Sequence, residues 1–99
     1  MIRHITILKF APDGFDRYDE WTRTIEAYRG AIPGLVGLVH GPDLELVVGQ
    51  SSGDYVIVSD FADAASLTAY YTHPLHEASK RLSFPRSSQI ITVDLALPN

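Results

Sequence analysis

The chain has 99 residues, of which 45% are hydrophobic and 20% charged, and its mean hydropathy is +0.02. That composition belongs to one folded domain spanning residues 1–99 with a single hydrophobic core, and it excludes disorder and a two-domain arrangement. Eight basic residues scattered among twelve acidic ones leave a net charge of −4, which argues against a nucleic-acid partner. Cysteine is absent, so disulfides, thiolate nucleophiles and cysteine-held metal clusters are ruled out. The N-terminal residues do not lead from a basic stretch into an apolar one, and no apolar span of roughly 18 residues occurs; the expectation is a cytoplasmic protein without a membrane partner.

Ile2 to Phe10 reads as a strand rich in β-branched residues, with Ile2, His4, Thr6, Leu8 and Phe10 on one face. The Ala11-Pro12-Asp13-Gly14 turn leads into an amphipathic helix predicted over Phe15 to Ile32, where Tyr18, Trp21, Ile25, Tyr28 and Ile32 recur in steps of three or four. Pro33-Gly34 ends it, and Leu35 to Gly41 is the second strand. Asp43 to Gln50 either extends that strand or forms an arm, closed by Ser51-Ser52-Gly53. Asp54 to Phe61 is the third strand, and Asp63 is placed to cap the helix that carries Leu67, Tyr70 and Tyr71. Pro74 interrupts that helix; helical spacing resumes over Leu75 to Leu82, Phe84 to Ser88 is a loop, and Gln89 to Leu97 alternates as a last strand.

The order strand, helix, strand, strand, helix, strand is that of a ferredoxin-like α+β domain with an antiparallel sheet. Two helices cover only one face of such a sheet. The other face carries Ile5 and Ile7, so the economical arrangement is a homodimer packed sheet against sheet as a dimeric α+β barrel.

Reactive side chains gather around the helix break. Pro74 suits the first position of a helical turn, which puts His76 near a helix start, where the positive dipole end disfavours an imidazolium. With His4 on the helix-facing side of the first strand, Tyr70 and His76 converge over it. An imidazole near pKa ~6.5 and a phenol near ~10 make a workable base and acid. Trp21, Ile25, Tyr28, Leu67 and Phe84 supply apolar walls for a flat, partly hydroxylated organic molecule. Tyr71 reads as a packing residue with its hydroxyl at the rim, His73 as a cap, His40 as a strand-end group, and Asp60, Glu26 and Glu77 as solvated charges. His73 and His76 lack a third clustered ligand, and no phosphate-cradling glycine loop or nucleophile elbow is found, so neither a metal nor a cofactor is expected.

The opening Ile-Arg-His-Ile-Thr-Ile-Leu-Lys-Phe, the Gly53-Asp54-Tyr55 entry into a strand ending Asp60-Phe61, and Tyr70 followed by His73-Pro74-Leu75-His76 together resemble the stress-responsive A/B barrel (Dabb) family over nearly the whole chain. The resemblance implies a dimeric α+β barrel. Members of the olivetolic acid cyclase type close a linear polyketide into an aromatic ring, and by motif position their tyrosine and histidine fall on Tyr70 and His76, with His4 lining the pocket. The implied chemistry is lyase-type cyclisation: His76 removes a proton between two carbonyls, Tyr70 hydrogen-bonds the enolate, and His4 orients the substrate. Asp43 to Gly53 departs from the family pattern. Two other functions compete: a non-catalytic stress-responsive or ligand-carrier protein in which the same residues only line a pocket, and a cofactor-independent monooxygenase or isomerase, for which Trp21 is the supporting feature.

Overall fold

A computed structural model describes residues 1–98. β1 (Ile2–Phe10), α1 (Tyr18–Glu26), β2 (Leu35–Pro42), β3 (Tyr55–Phe61), α2 (Ala64–Tyr70), α3 (Pro74–Ser83) and β4 (Ser87–Ala96) follow in that order, with a single 3₁₀ turn at Phe84–Arg86. The four strands form one antiparallel sheet in the order β2-β3-β1-β4, the ferredoxin-like arrangement. All three helices lie on one face. Trp21 and Ile25 of α1, Leu67 and Tyr70 of α2 and Leu82 of α3 are buried there against Leu8, Ile57 and Phe61 of the sheet. The alternation read along β1 is reproduced, since His4 and Leu8 are buried while Ile5 and Ile7 turn to the other side.

That other side is an apolar surface. One row crosses all four strands as Val93, Ile5, Val58 and Val39, and the next as Ile91, Ile7, Val56 and Gly41. At one end the row Leu95, Arg3, Asp60, Gly37 carries a two-pronged ion pair, Arg3 Nε to Asp60 Oδ1 at 2.9 Å and Arg3 Nη2 to Asp60 Oδ2 at 3.0 Å. Asp60 is therefore a paired carboxylate and not the solvated charge expected, and Arg3 holds it below the usual carboxylate range.

Two local outcomes differ from the periodicity, at α1 and at Phe84, and a third, at Asp43 to Gly53, decides between the two readings the sequence left open. α1 ends at Glu26, six residues before the end expected from its apolar spacing, because Gly30 is left-handed (φ 71°) and the chain continues in tight turns such as Ala31 N–H to Tyr28 C=O. Those turns still bury Tyr28 and Ile32, which preserves the apolar stripe without the helix. Asp43 to Gly53 is an arm and not a strand extension: its root is tied by Asp43 N–H to the Asp54 carbonyl at 2.9 Å, and Leu44, Leu46, Val47 and Val48 are exposed along it. The Phe84 to Ser88 loop is a 3₁₀ turn followed directly by β4.

The helix break is built as the sequence implied. Asp63 caps α2, its carboxylate accepting from the Ser66 N–H at 2.8 Å, a contact worth ~1 kcal/mol. His73 caps α3 with Pro74 in its first turn; its Nδ1 accepts from the Leu75 N–H at 3.1 Å. In an uninterrupted helix the Leu75 N–H would bond the Tyr71 carbonyl. Here that carbonyl is left for another donor, which shapes the site.

Candidate functional site

The Tyr71 carbonyl accepts from Nδ1–H of His76 at 3.2 Å, so the hydrogen bond fixes the tautomer and turns Nε2 away from the backbone as a free lone pair. Burial lowers the proton affinity of His76, and the Lys80 charge adds to the effect against the opposing Tyr71 carbonyl. His76 is thus neutral near pH 7, as the sequence suggested, although desolvation is the leading cause.

His4 reaches the same space from the sheet. The β1–β4 register sets Asp94 directly opposite it, and His4 Nδ1–H donates to Asp94 Oδ1 at 2.5 Å. His4 is 2% exposed, and its Nε2 faces the Thr6 hydroxyl at 3.4 Å. A buried imidazole with one nitrogen held by a carboxylate has its ring plane and tautomer set in advance. Sequence reading passed over Asp94. The available signal was register: pairing the apolar set Ile5 and Ile7 with Val93 and Ile91 forces Asp94 onto the face of His4.

Tyr70 is the third ring. Its centroid lies 4.2 Å from that of His76 and 5.9 Å from that of His4, and Tyr71 closes the group at 5.3 Å from His76 and 5.6 Å from His4. The Tyr70 ring packs edge-on to that of Tyr28 at 5.7 Å, Tyr28 meets the Ser79 hydroxyl at 2.5 Å, and Ser79 donates to the His76 carbonyl at 3.0 Å. Because Ser79 spends its proton on a carbonyl, Tyr28 donates to Ser79. Desolvation, followed by repulsion from neighbouring Tyr28, raises the Tyr70 pKa strongly, so Tyr70 stays a phenol and serves as a donor. Buried Ser59, paired with His4 across β1 and β3, has a hydroxyl without a hydrogen-bond partner.

These groups line a cavity of about 100 Å³ between sheet and helices. His4, Tyr70, His76, Trp21, Tyr28 and Phe84 all contribute, as do Thr6, Tyr71 and Thr92. Ile25 and Leu67 do not: both are buried in the core and stand outside the cavity wall. Larger hollows, such as one of about 260 Å³ between the arm and Ile7, lie at the surface away from these rings. Among the described residues no cluster of three metal-ligating side chains occurs, and no helix is long and apolar enough to cross a membrane.

His40 is more than a strand-end group. Its Nε2–H donates to Glu26 at 2.7 Å and its Nδ1 accepts from the Tyr55 hydroxyl at 2.6 Å, tying α1 to the sheet. Glu26, expected to be merely solvated, is held at about 2 by Arg29 first and His40 second. Glu77 likewise pairs with Lys80 at 3.1 Å.

The stress responsive A/B barrel domain (Dabb) model matches residues 2–97. The chain belongs to the Dabb family. No curated protein matches it in sequence. Among solved structures, it is similar to a dimeric ferredoxin-like protein of unknown function from Thermobifida fusca, at 28% identity and a TM-score of 0.85, covering 97% of this Dabb chain and 90% of that one. A dimeric ferredoxin-like protein of unknown function from Jannaschia sp. shares 26% identity with a TM-score of 0.84, over 97% and 98% of the two chains. A hydroxynitrile lyase from Passiflora edulis, 16% identical, superposes with a TM-score of 0.81 over 98% and 93%, a likeness of fold alone.

Proposed function

We propose that this Dabb protein is a homodimeric α+β barrel that binds a small polyketide-like or phenolic molecule and acts on it by cofactor-free acid–base chemistry, as a cyclase-type lyase. The observation that carries the reading is the convergence of His4, Tyr70 and His76 on one cavity, with the two imidazoles oriented by separate hydrogen bonds and the phenol ring packed against both. In this mechanism neutral His76 uses Nε2 to take a proton from a carbon flanked by two carbonyls. Tyr70 directs its O–H to the oxygen that becomes an enolate, making a charge-assisted hydrogen bond there. The enolate carbon then attacks a distal carbonyl of the same chain, and His76 returns its proton to the oxygen of that carbonyl; His4, steadied by Asp94, accepts a hydrogen bond from a substrate hydroxyl and orients the chain for this closure.

The cavity is smaller than the ~300–1,000 Å³ usual for ligand sites, so it takes the reacting segment while the remainder of a longer substrate leaves past exposed Phe84 and Tyr71. Dimerisation is supported by the apolar rows on the open sheet face and by the two dimeric neighbours. The test is turnover of a family of poly-β-keto thioesters. Tyr70→Phe and His76→Ala are expected to lower the cyclisation rate by ~10²-fold or more. Absence of turnover by the wild-type protein, or unchanged rates in both variants, rejects catalysis and leaves a ligand carrier.

A further inference from the structure

The helical wall of the cavity carries a charge that the acid–base chemistry does not use. Lys80 is one turn beyond His76 on α3 and lines the same cavity, with Ser79, Ser83 and Phe84 beside it. Its ammonium group lies 5.7 Å from the centre of the Phe84 ring and 3.1 Å from the Glu77 carboxylate. Although the chain as a whole carries −4, the residues lining this cavity include no aspartate or glutamate. The two nearby carboxylates are already engaged, Asp94 with His4 and Glu77 with Lys80. A pair such as Lys80–Glu77, partly exposed and three residues apart on one helix, is weak enough to exchange for a better acceptor.

We propose that the ligand of this pocket is an anion, a small ring or chain bearing a carboxylate that Lys80 binds at the mouth while the body lies against Phe84 and reaches His4, Tyr70 and His76. This deepens the pocket reading above and rests on it. The geometry favours a carboxylate because a single ammonium group at an apolar rim matches one negative charge on a flat, weakly hydrated body. Exposed Phe84 extends the apolar surface outward from the charge, so ring and carboxylate are recognised side by side.

The experiment titrates salicylate and its neutral isostere salicylamide against the full chain, following the imidazole NMR signals of His4 and His76. In the wild-type protein salicylate is expected to bind at least tenfold tighter than salicylamide, with the preference shrinking as salt is raised. Lys80→Met is expected to weaken salicylate at least fivefold and to leave salicylamide within twofold; Lys80→Arg retains the preference. If both probes move the His4 and His76 signals but bind equally, or if Lys80→Met changes nothing, the anion inference is overturned and the pocket reading stands. If neither probe perturbs those signals at millimolar concentration, both fall together.

Discussion

Val93→Glu is a direct probe of the open sheet face. Val93 is 53% exposed in the single chain and stands opposite Ile5 in the row that continues through Val58 to Val39. In an isolated subunit the substitution replaces a half-exposed side chain by a solvated one and changes stability by ~0.5 kcal/mol or less. In a two-fold dimer packed through this face it acts twice. Each copy forfeits ~1 kcal/mol of apolar burial and brings an unpaired carboxylate whose effective desolvation costs several kcal/mol. Together these weaken association by ~4 kcal/mol at the least, or about three powers of ten in Kd. Sedimentation velocity between ~1 and ~50 μM, concentrations that span the resulting change, is expected to give a dimeric wild type and a monomeric, folded variant with unchanged circular dichroism. A wild type that sediments as a monomer, or a variant as dimeric as the parent, would refute the packing argument.

Three further substitutions or conditions test the fold and the site. Gly34 has φ 79° and approaches Ser66 so closely that a Cβ would overlap its side chain, so Gly34→Ala is expected to cost ~2 kcal/mol or more and lower Tm by roughly 10 °C; an unchanged melting curve would contradict the close approach. Ser59→Ala removes the buried hydroxyl without a partner and is expected to be neutral or to stabilise by up to ~1 kcal/mol in chemical denaturation, whereas a loss of 2 kcal/mol would mean that the hydroxyl is bonded. His76 binds its proton less readily folded than unfolded, chiefly through burial, so the unfolded state takes up more protons as pH falls below ~6.5 and stability declines from pH 7 to pH 5. His76→Asn is expected to flatten that slope; an equal slope in the variant would count against burial of the neutral ring. The carboxylates held low by their partners, Asp16, Glu26, Asp60 and Asp63, lose their contribution only at lower pH, as they protonate below their ordinary range.

Alternation and turn residues were enough to read the strands, because β1, β2 and β3 place their buried residues on one face and a one-residue slip would invert it. The helix break was legible for a similar reason: Pro74 removes a donor and restricts His73, whatever surrounds them. Features that depend on pairing across the sheet were not legible. Asp94 becomes the partner of His4 only through the β1–β4 register, and Asp60 finds Arg3 through the β1–β3 register. His40 looked peripheral on its own strand, yet Glu26 arrives from α1 and Tyr55 from β3. Apolar spacing over Phe15 to Ile32 identified the buried face but overran the helix, since the turns after Glu26 present Tyr28 and Ile32 to the same core. Ile25 and Leu67 show the limit of inferring walls from periodicity, which finds the core-facing stripe and does not divide it into core and cavity.

The proton-transfer claim is tested most directly by exchange at the central carbon of pentane-2,4-dione in deuterium oxide, followed by NMR, because this dicarbonyl is small enough for the cavity and requires neither cyclisation nor a thioester. The wild-type protein is expected to accelerate exchange in a saturable way, and His76→Ala to abolish the acceleration while the fold is retained. Exchange no faster than the buffer rate, or equally fast in His76→Ala, would contradict the proton-transfer claim.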